Sequence, residues 1–147
     1  MIRPSLIVPR LRASIPAVSN RVVGAAELQR VAAGRSQLAR PCLFVVPGGE
    51  DASENLVIGT SVVQTTRPKI GVVVCVDNTS DDRGAAGAES LVDIREALVA
   101  ALVGWSPDPV RYESFVYLGM PDDPVADADR AVIWAQFDFQ SQETLQG

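Results

Sequence analysis

Between Lys69 and Asp77 the chain reads Ile70-Gly71-Val72-Val73-Val74-Cys75-Val76, a run without one polar side chain. It is far shorter than the roughly 20 apolar residues of a membrane-spanning helix. It is also rich in the β-branched residues that fit a pleated, covered surface. The run therefore reads as the central strand of a sheet buried on both faces. A second run, Cys42-Leu43-Phe44-Val45-Val46, stands between Pro41 and Pro47 and reads as another inner strand. In a chain of 147 residues, strands of this kind imply one hydrophobic core and one domain, over residues 1–147.

The remaining pattern places helices and further strands around these two. From about Ala86 the period becomes helical: Leu91, Ile94, Leu98, Ala101 and Leu102 fall on one face, and Glu89, Asp93, Glu96 and Ala100 fall away from it. Val92, Val99 and Val103 form a flanking apolar stripe, which predicts a buried face wider than one sheet contact demands. Gly104 is the expected stop, with Pro107 beyond it. Residues 5–14 read as a short helix with Pro9 in its first turn or at a kink. Arg21–Gly24 reads as a short strand, and Ala25–Ala33 as a second small helix ended by Gly34. Further strands are expected at Thr60–Thr66 and Lys69–Asp77, interrupted by Arg67-Pro68, where proline implies a bulge, an edge or a turn, and at Glu113–Leu118 and Ala131–Phe139. In the last of these Ile133, Ala135, Phe137 and Phe139 alternate with Val132, Trp134, Gln136 and Asp138, as in a half-buried antiparallel strand. Pro47–Gly59 reads as a long polar loop, Asn78–Gly84 as a polar turn and Pro121–Asp129 as an acidic turn. The fold class is α+β: a mixed, mainly antiparallel sheet packed by one long helix and shorter N-terminal helices.

Little in the sequence points to chemistry. The chain has no histidine, the commonest general base and metal ligand. Lys69 is its one lysine, read as an edge-strand charge rather than a nucleophile. Pro47-Gly48-Gly49-Glu50 lacks the lysine and Ser/Thr of a phosphate loop, and Ser5, Ser61 and Ser80 stand in no nucleophile-elbow pattern. Asp122, Asp123, Asp127 and Asp129 are the densest acidic cluster, without the ligand spacing of a calcium loop. Asp81-Asp82 reads as charge complementing a helix N-terminus. Cys42 and Cys75 lie in apolar runs and read as buried free thiols. A disulfide between them would need adjacent strands in register and an oxidising compartment. The expectation is no enzyme, no cofactor and no metal. Net charge −5 and a pI near 4.6 oppose static nucleic-acid or membrane-surface binding. The N-terminal segment, closed by Pro9 and Arg10, lacks the features of a signal peptide, so the protein is expected to be soluble and made in the cytoplasm.

The order of several segments carries a resemblance over nearly the whole length. These are Leu11-Arg12, Val23-Gly24-Ala25-Ala26-Glu27-Leu28, the proline-bounded Phe44-Val45-Val46-Pro47, and Val63-Gln64 leading into Ile70-Gly71-Val72-Val73-Val74. Asp77-Asn78, the Asp82-Arg83-Gly84 turn, Ala101-Leu102-Val103-Gly104-Trp105-Ser106-Pro107, and the strand with Trp134 and Phe137 complete the series. In this order they resemble the tail terminator family of long-tailed bacteriophages. The resemblance implies a structural virion protein at the head-proximal end of the tail. Such a protein caps the tail tube as a homohexameric ring, ends elongation and offers the surface that joins the head. Its implied partners are copies of itself, the tail tube protein and a neck or head-completion protein, with DNA passing through without specific binding. A ring is closed by head-to-tail interfaces. The contact residues expected on this reading are Glu50, Asp51, Glu54 and Asn55 of the long loop, Val92 and Val99 of the helix flank, and Asp122 and Asp123 of the acidic turn. Two other readings stand beside it: a neck or tail-completion protein of related fold, and a small ligand-binding or enzymatic domain using the acidic loop with Arg3, Arg10, Arg12 or Arg21 as anion contacts.

Overall fold

The computed structural model describes residues 1–78 and 85–147; of the expected turn Asn78–Gly84, all but Asn78, Asp81 and Asp82 included, lies outside the described residues. The elements run α1 (Pro4–Ser14), a 3-10 turn (Pro16–Arg21), β1 (Val22–Gly24), α2 (Ala25–Ala32), β2 (Cys42–Ala52), β3 (Leu56–Ile58), β4 (Ser61–Asp77), α3 (Ala85–Leu102), β5 (Val116–Gly119), β6 (Val125–Asp127), β7 (Val132–Gln140) and β8 (Glu143–Gln146). This is an α+β fold built on one mixed, mainly antiparallel sheet.

The apolar run 70–76 does lie at the centre of the sheet. β4 pairs antiparallel with β2 on one side and with β7 on the other, while β1 joins β2 in parallel at one edge and β5 joins β7 at the opposite edge. Alternate residues of the inner strands feed two cores. On one face Leu43, Val45, Ile70, Val72, Val74, Val76, Ala135, Phe137 and Phe139 meet Ile7 and Leu11 of α1 and Leu91, Ile94, Leu98, Ala101 and Leu102 of α3. On the other, Cys42, Phe44, Cys75 and Val132 pack with Leu28 and Val31 of α2 and with Trp134, whose ring stacks on Phe44 at 6.0 Å. Being covered on both faces is what removes polar side chains from residues 42–46 of β2 and 70–76 of β4.

Local chemistry accounts for the helix ends. Pro4 opens α1 at a position where its missing N–H costs nothing. Pro9 lies inside that helix, past its first turn, on the exposed side where water can meet the freed carbonyl. Gly34 and Gly104 follow α2 and α3 with φ of +73° and +81°, the left-handed conformation of a C-terminal stop.

The segment after Val46 departs from the sequence reading. Pro47–Gly59 is not a loop: β2 continues to Ala52, only Ser53–Asn55 connect, and β3 turns through Gly59 and Thr60 into β4. Nor is β4 broken at Pro68. It runs unbroken over 17 residues, and the irregularity proline demands appears opposite it as a bulge, since Pro47 pairs with Ile70 but Glu50 with Pro68. Gly48 fills the bulge because a β-carbon there would lie 2.9 Å from the backbone of Lys69. Lys69 is correspondingly an inner-strand residue, not an edge one, and its Nζ sits 3.1 Å from Asp51.

Other boundaries shift for related reasons. The strand expected at Glu113–Leu118 is confined to Val116–Gly119, the acidic turn contains β6 paired to β7, and β8 pairs with the first half of β4. β6 and β8 carry no apolar alternation and are strands by virtue of their ladder pairing to β7 and β4. The stripe beside the α3 core face is not buried: Val92 is 52% exposed, Val103 41%, and Val99 is half-buried.

Candidate assembly surfaces

β4 is longer than the helices that cover it, and its first half projects as a three-stranded ribbon with β3 on one side and β8 on the other. Val62 and Gly147 exchange both backbone hydrogen bonds at 3.0 Å, which extends the ladder to the last residue. Val57 stands opposite Val62, and Leu145 opposite Gln64, so Val57, Val62 and Leu145 share one ribbon face. They are 61%, 39% and 42% exposed, and Leu56, 65% exposed, lies on the other face. Solvent-facing β-branched and leucine side chains on an edge ribbon are a surface ready to pair with another chain.

The residues expected as contacts from the long loop belong to this region. Glu50 and Asp51 are exposed residues of β2, Glu50 accepting from the N-terminal ammonium at 3.0 Å and Asp51 from Lys69. Glu54 and Asn55 are exposed in the connector beside β3. Val92 and Val99 lie on α3, Val92 outermost, and Asp122 and Asp123 are exposed between β5 and β6. The structure therefore does not gather these eight residues into one patch; it spreads them over the ribbon, a helix flank and the β5–β6 side. The apolar residues of β3 and β8 were missed by the sequence reading. The signal present was Leu56-Val57-Ile58 followed two residues later by Ser61-Val62-Val63, a hairpin with Gly59 at φ +66° in its turn.

Charge is distributed unevenly along the chain. Residues 1–40 hold seven arginines and one acidic residue, whereas residues 41–147 hold six basic and seventeen acidic ones. Several of the arginines serve the fold. Arg10 donates to the Ala101 carbonyl at 3.0 Å and lies over the Trp105 ring, Arg12 donates to Val22, and Arg21 to Pro41 and Ala17. Arg10, Arg12 and Arg21 thus each hold a backbone carbonyl of another segment, and Arg3 is exposed just before α1. At the base of the ribbon Arg111 meets the buried Glu143 at 2.5 Å.

A cavity of about 810 Å³ opens beside α2, lined by Ser36, Arg40, Cys42, Cys75, Asp77, Arg130 and Trp134, among others. Its floor holds the two thiols. The hydrogen bond from Cys75 holds the Cys42 thiol below its ordinary range against the opposing effect of burial, with Arg40 and Arg21 acting in the same direction. Cys75, the donor, is pushed up by that hydrogen bond and by burial. Among the described residues no three His, Cys, Asp or Glu side chains come together in a way that could hold a metal ion, and no helix is long and apolar enough to cross a membrane.

The features that stand out are surfaces of a kind that other chains cover, which is the class of an assembling structural protein. The family model described as "Phage tail terminator protein" matches residues 1–147, and the chain belongs to that family, whose members are structural proteins of phage tails. No curated protein matches the chain. Among solved structures the chain is similar to one from a "Virion of native gene transfer agent (GTA) particle", with 14% identity over 95% of this chain and 85% of that chain, at a TM-score of 0.43.

Proposed function

We propose that this protein caps the tail tube as a ring of its own copies, ends tail elongation and presents the surface to which the head is joined. Family membership supports the tail assignment, and the observation that carries the contact reading is the projecting ribbon with its exposed Leu56, Val57, Val62 and Leu145. Ring closure needs two different patches on each subunit. The ribbon is one of them, received by a neighbour, with Glu50, Asp51, Glu54 and Asn55 at its flank. The Val92–Val99 side of α3 and the Asp122–Asp123 segment are the surfaces left for the second patch and for the tube and neck proteins. The uneven charge between residues 1–40 and the remainder favours head-to-tail over like-to-like contact.

In this reading the ring is a homohexamer at the head-proximal end of the tail, assembled from protein made in the host cytoplasm, and one domain does all of it without catalysis. Six copies at −5 each give a ring of about −30, which disfavours DNA sticking to it and leaves the genome free to pass.

The test is a double variant, Val57→Ser with Val62→Ser, in a phage whose only copy carries it. Both side chains are exposed, so the purified variant should keep its melting temperature. Electron microscopy should show tails of irregular length or tails without heads. Uniform tails on full heads would remove the ribbon from the contact surface. If deletion of the whole gene also left tail length and head joining unchanged, the capping function itself would be wrong.

A further inference from the structure

Cys42 and Cys75 are direct partners in the antiparallel β2–β4 pair, so their side chains leave the same sheet face side by side. Opposite Cα atoms in such a pair are about 4.5–5.5 Å apart, inside the span of about 4.4–6.8 Å over which a disulfide can form. Both are free thiols, 0% and 2% exposed. Burial by a helix alone would leave them inert, but they form part of the wall of the 810 Å³ cavity, which opens between α2, Arg40 and Arg130. The cavity is the side from which a small oxidant would approach the pair, and because Cys75 shows 2% of its surface and Cys42 none, the reaction needs a local opening of that wall.

We propose that Cys42 and Cys75 are a modification site, a dithiol that a small hydroperoxide converts to a disulfide across β2 and β4. The Cys42 thiolate attacks one oxygen of hydrogen peroxide and the O–O bond breaks. The Cys42 sulfur becomes a sulfenic acid, and the hydroxide released takes up the proton that the thiol lost, forming water. The Cys75 sulfur then attacks the Cys42 sulfur and the S–O bond breaks. The departing hydroxide takes the Cys75 proton as a second water, so one peroxide is reduced and two thiols become one disulfide. Cys42 reacts first because Arg40 and Arg21 and the Cys75 hydrogen bond favour its thiolate. In the reducing cytoplasm the pair stays open, and outside the cell it can close and tie the centre of the sheet covalently. The step does not depend on how the protein meets the tail tube.

The purified protein is treated with a small molar excess of hydrogen peroxide, denatured, and examined by intact mass and iodoacetamide labelling. The expected product is a monomer lighter by two hydrogens with no alkylatable thiol, returned to two thiols by dithiothreitol. The same treatment in concentrated urea should give more linked chains and added oxygen alongside the disulfide, since the register no longer holds the two sulfurs side by side. Two intact thiols, added oxygens or linked chains from the native protein would overturn the proposal. A Cys75→Ser variant should halt at a Cys42 sulfenic acid that dimedone captures. Absence of that adduct in a folded variant would overturn the assigned order, and the wild-type result decides the disulfide whether or not the variant folds.

Discussion

Leu98 is fully buried between α3 and the sheet, and Leu98→Ala should lower stability by about 2–5 kcal/mol, read from denaturant midpoints. Gly48 makes a sharper demand, because a β-carbon there would meet the Lys69 backbone and no side-chain movement relieves it. Gly48→Ala should cost about 1–3 kcal/mol by displacing the bulge, and wild-type stability in that variant would show that β2 can shift without loss. Tyr112, buried with its hydroxyl donating to the Met1 carbonyl at 3.0 Å, is held above the ordinary tyrosine range by that burial. Its contribution is complete below about pH 10, where the unfolded tyrosine is neutral, and is lost as pH rises through the higher folded value. Urea midpoints of wild type should therefore fall more than those of Tyr112→Phe between about pH 9 and pH 11; parallel curves would refute the assignment.

At the scale of elements, α3 separates into a face that holds the fold and one that does not. Leu91, Ile94, Leu98, Ala101 and Leu102 are buried as their spacing demands, while Val92 looks outward. Val92→Ala should change stability by less than about 0.5 kcal/mol, in contrast to Leu98→Ala on the same helix; a loss above about 1 kcal/mol would place Val92 in a core contact. The ribbon shows the opposite relation between pattern and structure. Its central strand is long because β7 and β8 follow β4 along nearly its whole length, from Asp77 paired with Val132 to Val63 paired with Gln146. Removing Asp51–Asn55 is consequently not a neutral loop shortening, since Asp51 and Ala52 are ladder partners of Arg67 and Thr66.

For the whole molecule, both cores lean on the same two strands, β2 and β4, so neither can open without exposing the other. We expect one cooperative unfolding transition. Trp105 lies by the first core and Trp134 in the second. The single-tryptophan variants Trp134→Phe and Trp105→Phe should each report coincident fluorescence and circular-dichroism midpoints. Transitions that separate within either variant would mean that the chain is not one folding unit.

Elements that bury a face wrote themselves into the sequence. The runs at 42–46 and 70–76, the spacing from Leu91 to Leu102 and the alternation ending at Phe139 survive because exclusion of water constrains side-chain type position by position. Glycine after α2 and α3 was legible for a steric reason that needs no neighbours. Family membership was legible too, because it resides in the order of such segments. What the sequence left open was everything held by backbone pairing: the continuation of β2 through Ala52, β6 and β8, and the unbroken passage of β4 through Pro68. Ladder hydrogen bonds are made by the same N–H and C=O groups in every residue and leave no mark on side-chain type. Whether Val92 and Val57 face a core or solvent, and that Cys42 stands opposite Cys75, depended likewise on which strands and helices meet. Register is a property of two segments together, and only the folded chain brings them side by side.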